Sequence, residues 1–302
     1  DLFITHIGNP NLNAVAAWLP LAFLGLHRAI IAKSWLTARR WAIMGGVALG
    51  VGTLAGHGQM TFLIAMLLGS YAIFATLSQR TLRPFLPLIL LAFIAIGLAA
   101  VSLLPAAAAV PHTVRGTFSA DQASNFSLPL QGLVGLFAPN FFGRGEINFW
   151  ASWPRVEYGY VGVLTLLLAV AAPFLHRRRL TLFFWLGTIL FLLLALGDNT
   201  PLYPLLLRLL PFFPFQVPAR FILLLDFCLA ALAATALHDL LHGERLSHAG
   251  LTIVGLVAIG GTAVLLWQLG LWETAVSPQR LPQLQQSVLI FATLALTSLI
   301  LI

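Results

Sequence analysis

Long apolar stretches, each close to the length of a membrane-spanning helix, recur along almost the whole chain. A helix needs about 20 predominantly apolar residues to cross the hydrocarbon core of a bilayer. The pattern predicts about nine spans, at residues 12–33, 41–56, 59–77, 84–105, 158–175, 180–197, 219–241, 249–270 and 286–302. The second span is short and rich in glycine, so we expect it to pack closely against its neighbours; its glycines are Gly45, Gly46, Gly50 and Gly52.

The composition agrees with a membrane protein and argues against a water-soluble one. Of the 302 residues, 60% are hydrophobic and 8% are charged, and the mean hydropathy is +0.95. Soluble proteins carry about 25% charged residues, so a chain with this few cannot build a surface that faces water. The predicted fold class is all-α, a polytopic transmembrane helical protein with one transmembrane domain over residues 1–302.

The basic residues predict an orientation rather than a nucleic-acid partner. The net charge is +7, but the Arg and Lys side chains separate the apolar stretches and form no nucleic-acid-binding module. The connections after the first, third, fifth and seventh spans hold ten basic residues and two acids, whereas the opposite side holds six basic residues and seven acids. Because cytoplasmic loops carry the excess of Lys and Arg, we expect Asp1 to be external and Ile302 to be cytoplasmic.

Two connections on the predicted external side are too long to be simple turns. Residues 106–157 are rich in aromatic side chains, and within them residues 128–142 are expected to form an amphipathic helix in the membrane interface. Residues 199–218 contain five prolines but stay apolar, which favours a re-entrant or surface-lying hairpin.

Polar residues in the first two external connections are candidates for ligand binding. His57 and Gln59 each follow a glycine, Gly56 and Gly58, and they are either binding residues or polar members of a tight turn. In residues 138–146, Asn140, Arg144 and Glu146 lie among aromatic residues. That combination suits a sugar or a lipid headgroup, and the alternative is an ordinary interfacial loop.

Two further candidates follow the sixth span. Asp198 begins an Asp-Asn-Thr-Pro sequence, which either caps a new helix or supplies a base or metal ligand. Arg220 opens the seventh span, where a guanidinium group could bind a phosphate with two hydrogen bonds. Asp226 lies about 9 Å further along the helix, and its pairing with an arginine is the alternative to a wet cavity.

No metal site stands out in the sequence. Cys228 is the only cysteine, so no disulfide within the chain is available. His238 and His242 share a helix face at a spacing that could serve metal or tetrapyrrole ligation, but no third ligand is evident.

Several motifs occur in the order found in one known family. They are residues 56–59, 137–143, 160–163, 196–203, 211–213 and 218–221. Over about residues 10–240 the chain resembles the YfhO-type bacterial membrane proteins, which look like members of the GT-C superfamily of glycosyltransferases.

The resemblance implies a location in the bacterial plasma (inner) membrane and a reaction at its external face. Such enzymes transfer a sugar from a polyprenyl-phosphate donor, with lipids and other membrane subunits as further partners and a divalent metal ion as a cofactor in some cases. The expected catalytic carboxylate would lie upstream of Asp1, because the chain looks like part of a longer protein, and Asp198 is the candidate within it. His57, Gln59, Asn140, Arg144 and Arg220 are the expected substrate-binding residues. A transporter or flippase, or a non-catalytic subunit of a membrane complex, remains the alternative.

Overall fold

The computed structural model describes residues 10–109, 112, 126–143, 149–151, 159–175, 178–209, 217–272, 278 and 280–302. These residues form helices joined by turns, with no strand among them. The α-helices are α1 (Pro10–Ala16), α2 (Leu19–Ile31), α3 (Trp35–Thr53), α4 (Gly58–Gln79), α5 (Phe85–Ala109), α6 (Val163–Leu175), α7 (Arg179–Ala195), α8 (Leu202–Leu209), α9 (Ile222–Leu241), α10 (His248–Trp272) and α11 (Leu281–Leu301).

The all-α polytopic class is confirmed, and each of the nine predicted spans overlaps a helix, the first of them both α1 and α2. Six helical stretches are long and apolar enough to cross a membrane: Pro10–Ile31, Gly58–Gln79, Phe85–Ala109, Pro218–Leu241, His248–Trp272 and Leu281–Leu301. The apolar helices α6 and α7 are shorter. The number of spans therefore stays a prediction, whereas the integral-membrane class does not depend on it.

The outward faces of the helices are apolar. On α5, Phe93, Val101 and Leu104 are 73%, 75% and 70% exposed. A helix that is apolar around most of its circumference is buried in protein or surrounded by lipid. Because these side chains contact little of the protein, lipid is the surrounding that accounts for α5.

Helices α1–α5 form one compact unit, the N-terminal unit. Its centre is the glycine-rich helix α3, which packs against α2 and α5. A Cβ atom placed on Gly25 of α2 would lie 2.6 Å from the Cα atom of Gly45, and one placed on Gly46 would lie 2.7 Å from the carbonyl oxygen of Leu91. The predicted close packing of this helix is confirmed, since the backbones touch where side chains are missing.

Helices α6–α11 belong to a second compact unit, the C-terminal unit. In it α9 packs against α6 and α7, while α10 and α11 pack against each other and against α6. A buried cluster in this unit draws side chains from α6, α10 and α11, among them Leu167, Leu265 and Phe291.

Residues 126–143, the crossing segment, run across one end of the C-terminal unit. The amide of Leu128 donates to the carbonyl of Ala195 at the end of α7 (3.0 Å), and the side-chain amide of Gln283 on α11 donates to the carbonyl of Asn140 (2.9 Å). Phe141 and Phe142 are buried in the cluster between the helices. The segment therefore ties together helix ends that are far apart in the sequence.

The prediction of an amphipathic helix over residues 128–142 is wrong in its local structure. Residues Leu130–Leu136 form a 3₁₀-helix, and turns follow through residue 142. Pro139 has no amide hydrogen to continue a helix, and the stretch buries residues on more than one side instead of presenting a single apolar stripe. Val134, Phe141 and Phe142 belong to the core, and a sequence pattern cannot distinguish such core residues from an interfacial face.

The expected hairpin over residues 199–218 is partly described. Its first half contains the eight-residue helix α8, which begins just after Pro201, and residues 210–216 lie outside the described residues. Whether the stretch re-enters the membrane stays a prediction.

An ion pair joins two helices at the end of the C-terminal unit that lies away from the crossing segment. The guanidinium of Arg178, just before α7, donates to the carboxylate of Asp239 near the end of α9 at 2.5 Å. The Asp239 side chain is 4% exposed and that of Arg178 is 42% exposed. Because the Asp239 carboxylate is shielded from water, its charge is stabilised by Arg178 and not by solvent.

Replacing Asp239 with asparagine should lower the free energy of unfolding by about 1–2 kcal/mol. The value lies below the usual cost of breaking a fully buried pair, because the half-exposed Arg178 can be solvated by water. Thermal unfolding in detergent measures it. Glu244→Gln, at an exposed acid just beyond α9, is the control and should stay within about 0.5 kcal/mol of the wild type. Equal stability of the two variants would contradict a stabilising ion pair.

Candidate functional site

The turn at Gly197 brings together three parts of the C-terminal unit. Gly197 follows α7 in the left-handed conformation (φ +54°), and a Cβ atom there would overlap the Ser127 hydroxyl and lie 3.1 Å from Cβ of Pro218. The end of α7, the crossing segment and the turn that starts α9 therefore meet at one glycine. Asp198 and Arg220 are each within two residues of this contact, so the structure places these two predicted site residues at the same end of the unit.

Asn199 and Thr200 stabilise this turn by bonding to the preceding helix and the crossing segment. The Asn199 side-chain amide donates to the carbonyls of Leu128 (2.9 Å) and Leu196 (3.0 Å), and the Thr200 hydroxyl donates to the carbonyl of Leu193 (2.8 Å). These bonds satisfy carbonyls at the C-terminal end of α7. The prediction that this motif caps a new helix is therefore wrong, because the Asn199 and Thr200 side chains bond to the helix before them.

Asp198 presents its carboxylate at the surface beside a buried tyrosine. Its residue is exposed, and its amide donates to the Ser127 hydroxyl at 3.2 Å. Burial, together with the nearby Asp198 carboxylate, raises the pKa of Tyr203 above its ordinary value of 10.0. Tyr203 is therefore a neutral phenol at physiological pH.

Arg220 is held in a 3₁₀-turn, Pro218–Phe221, at the start of α9. Val217 before it has φ +68°, a conformation that is costly for a β-branched residue and is concentrated at functional sites. The amide of Ala219 donates to the carbonyl of Phe126 at 3.4 Å. The ring of Phe221 packs against those of Phe191 and Tyr203, with its centroid 6.4 Å from each. The half-buried Arg220 is thus positioned by the packed aromatic rings of the adjacent Phe221 and its neighbours.

Asn140 lies in the same unit, at the α11 side of the crossing segment. Its carbonyl accepts hydrogen bonds from the Gln283 side chain and from the Gly143 amide (3.0 Å), and the residue is exposed. Its backbone has a structural role, which leaves the side chain available to solvent or a ligand. Arg144 and Glu146, predicted beside it, lie outside the described residues.

His57 and Gln59 belong to the N-terminal unit. His57 precedes α4, and its Nδ1 atom accepts a hydrogen bond from the Met60 amide at 3.4 Å. Gly56 has φ +82°, so the glycine provides the turn geometry. This geometry supports the turn interpretation, and a binding role for either residue stays a prediction.

Two contributors to the candidate site were not predicted from the sequence. Ser127 covers Gly197 and binds the Asp198 amide, although the two are 71 residues apart. Tyr203 packs on Phe221 beside Arg220. A serine and a tyrosine in apolar surroundings carry no local signal, so only the folded chain reveals them.

Within the described ranges no group of three or more His, Cys, Asp or Glu residues could hold a metal ion. His238 and His242 lie with ring centroids 4.1 Å apart, and Nδ1 of His242 is hydrogen-bonded to the carbonyl of His238 at 2.7 Å. That bond occupies one ring nitrogen of the pair.

The apolar helices and the polar end of the C-terminal unit define a polytopic α-helical integral membrane protein. Residues 9–302 match the family described as bacterial membrane protein YfhO, and the chain belongs to that family. No curated protein and no solved structure gives a significant match to the chain.

Proposed function

We propose that this protein is a GT-C-type membrane glycosyltransferase that uses a polyprenyl-phosphate-linked sugar at the external face of the bacterial plasma membrane. The observation that carries the proposal is the contact of Gly197 with Pro218, which holds an exposed carboxylate and a half-buried guanidinium at one end of an apolar helix bundle. Membership of the YfhO family supports it.

The chemistry of the donor matches the physical character of this end. A polyprenyl chain dissolves in the bilayer beside the apolar helices, while its phosphate and sugar remain at the polar boundary. Arg220 would bind the phosphate and stabilise the negative charge that it gains as the glycosidic bond breaks. A carboxylate, for which Asp198 is the candidate in this chain, would accept the proton of the acceptor hydroxyl group.

Replacing Arg220 with alanine in the full-length protein should lower kcat/KM for sugar transfer about 100-fold, because a donor to developing charge is lost. The measurement is transfer of a radiolabelled hexose from its polyprenyl phosphate in proteoliposomes, with membranes of the producing bacterium as the acceptor source. Arg220→Lys should retain part of the activity.

Arg280→Ala is the matched control, because Arg280 also lies at this end, just before α11, and it should leave kcat/KM unchanged. Equal activity of the Arg220 variant and the wild type would contradict the phosphate role. Wild-type protein that transfers no sugar but moves the donor across the bilayer would favour a flippase instead.

A further inference from the structure

The helix packing of the N-terminal unit brings the starts of two helices together at one end. A Cβ atom on Gly46 of α3 would lie 2.7 Å from the carbonyl oxygen of Leu91 on α5, and one on Gly50 would lie 2.9 Å from Cβ of Leu98. The contacts advance in the same direction along both helices, so α3 and α5 are parallel. Their first residues therefore lie at the same end of the unit.

The turns and helix ends around these two starts carry basic side chains. The guanidinium of Arg28 on α2 lies over the ring of Trp41 on α3, 5.4 Å from the ring centroid. The turn between α2 and α3 and the turn between α4 and α5 belong to the same end, because each leads directly into one of the two helix starts. We call this surface the basic end, and its cationic residues, all exposed, are Arg28, Lys33, Arg39, Arg40, Arg80 and Arg83.

No acid balances the charge of the basic end from within the same helices. Residues 10–109 contain neither Asp nor Glu, whereas in the C-terminal unit Arg178 is paired with Asp239. The orientation of the chain does not account for the lack of acids, because orientation depends on Lys and Arg and acids contribute little to it. The first turns of α3 and α5 hold no acid, so their helix dipoles add to the same positive field. This surplus charge is available to an anion from outside these helices.

The apolar side chains beside these charges favour a lipid as the source of the anion. Trp35 and Leu36 at the start of α3, and Leu82 in the turn before α5, are exposed among the basic residues. Tryptophan, lysine and arginine together are typical of the boundary between the hydrocarbon core and the headgroups. Clusters of about four to eight Lys and Arg residues next to a spanning helix bind acidic lipid headgroups. A soluble acidic partner would leave the apolar side chains unexplained.

We propose that the basic end binds the phosphate groups of anionic glycerophospholipids, such as phosphatidylglycerol, in the leaflet at this end of the N-terminal unit. The guanidinium groups donate paired hydrogen bonds to the phosphate oxygens, while Trp35 and Leu82 contact the acyl chains. The predicted orientation of the chain makes this the cytoplasmic leaflet. The inference does not rest on the proposed sugar transfer, and the failure of one leaves the other intact.

Ligand-induced thermal shifts of the purified full-length protein in a neutral detergent test the proposal. Dioctanoyl phosphatidylglycerol should raise the unfolding temperature, whereas dioctanoyl phosphatidylcholine, glycerol 3-phosphate and a polyglutamate peptide at the same concentrations should not. Changing both Arg39→Gln and Arg40→Gln should lower the affinity for phosphatidylglycerol about 25-fold, since each basic residue near the headgroups contributes roughly fivefold. Changing both to lysine keeps the charge and should retain most of the affinity.

The matched control changes two exposed arginines of the C-terminal unit, Arg179→Gln and Arg245→Gln, and lowers the net charge by the same amount. It should bind phosphatidylglycerol like the wild type. Lys33→Gln with Arg83→Gln, in the turns of the basic end, is a second test pair and should lose about as much affinity as the first. Equal affinities of the control and both test pairs would overturn the proposal. A shift with glycerol 3-phosphate or polyglutamate but none with phosphatidylglycerol would also overturn it, in favour of a soluble anion.

Discussion

Replacing Gly25 with alanine is expected to lower the free energy of unfolding of the N-terminal unit by about 3 kcal/mol or more. The new Cβ would lie 2.6 Å from Cα and 2.7 Å from N of Gly45. Both are backbone atoms, so no side-chain rotation relieves the overlap and the two helices must move apart. Overpacking of this kind costs about 1–3 kcal/mol when neighbours can adjust, and more when they cannot.

Thermal unfolding in detergent, followed by loss of the folded monomer on size exclusion, measures the effect. Gly69→Ala is the matched control, because Gly69 lies within α4 and an added Cβ would meet no atom within 4 Å. That variant should gain up to about 1 kcal/mol from the helix propensity of alanine. Similar stabilities of the two variants would contradict the close contact of α2 and α3.

Replacing Gly197 with alanine is the second change with a large expected effect, a loss of about 2–4 kcal/mol. Alanine at φ +54° carries a backbone cost of about 1 kcal/mol. The larger part comes from overlap with the Ser127 side chain, whose Cβ would be 2.7 Å away. Because this turn carries Asp198 and supports Pro218, the proposed sugar transfer should fall with it.

Two further variants separate the backbone cost from the overlap. Gly56→Ala has a similar backbone demand (φ +82°) but open space around it, so it should lose only about 1 kcal/mol. Adding Ser127→Gly to Gly197→Ala should recover at least about 1 kcal/mol relative to the sum of the single changes, since contacting residues are coupled. Strict additivity would mean that Ser127 and Gly197 do not touch.

Helix positions were predictable because each apolar stretch reports a local property, the partition of a segment into lipid. The close packing of α3 was also predictable, because its small residues occur where backbones can approach. The crossing segment was not, since a 3₁₀-helix and turns that bury Phe141 and Phe142 have the same apolar content as an interfacial helix. Whether such apolar side chains enter the core or face the membrane interface is decided by the residues of other helices that pack against them.

The candidate site shows the same division. Asp198 and Arg220 were recognisable one at a time, because a charge at the end of an apolar span is conspicuous. Their proximity depends on Gly197, Ser127 and Pro218, which come from three separate parts of the chain.

By itself the sequence determined the membrane environment, the all-α class and the approximate positions of the helices, since these follow from the hydropathy of contiguous segments. Only the tertiary structure decided which polar groups share one end of the C-terminal unit, and that the buried Asp239 is paired with Arg178. Asp239 and Asp226 look alike in the sequence of one helix, but Arg178 reaches the first, whereas Oδ1 of the second faces Gly159. That difference comes from long-range packing, which local pattern does not encode.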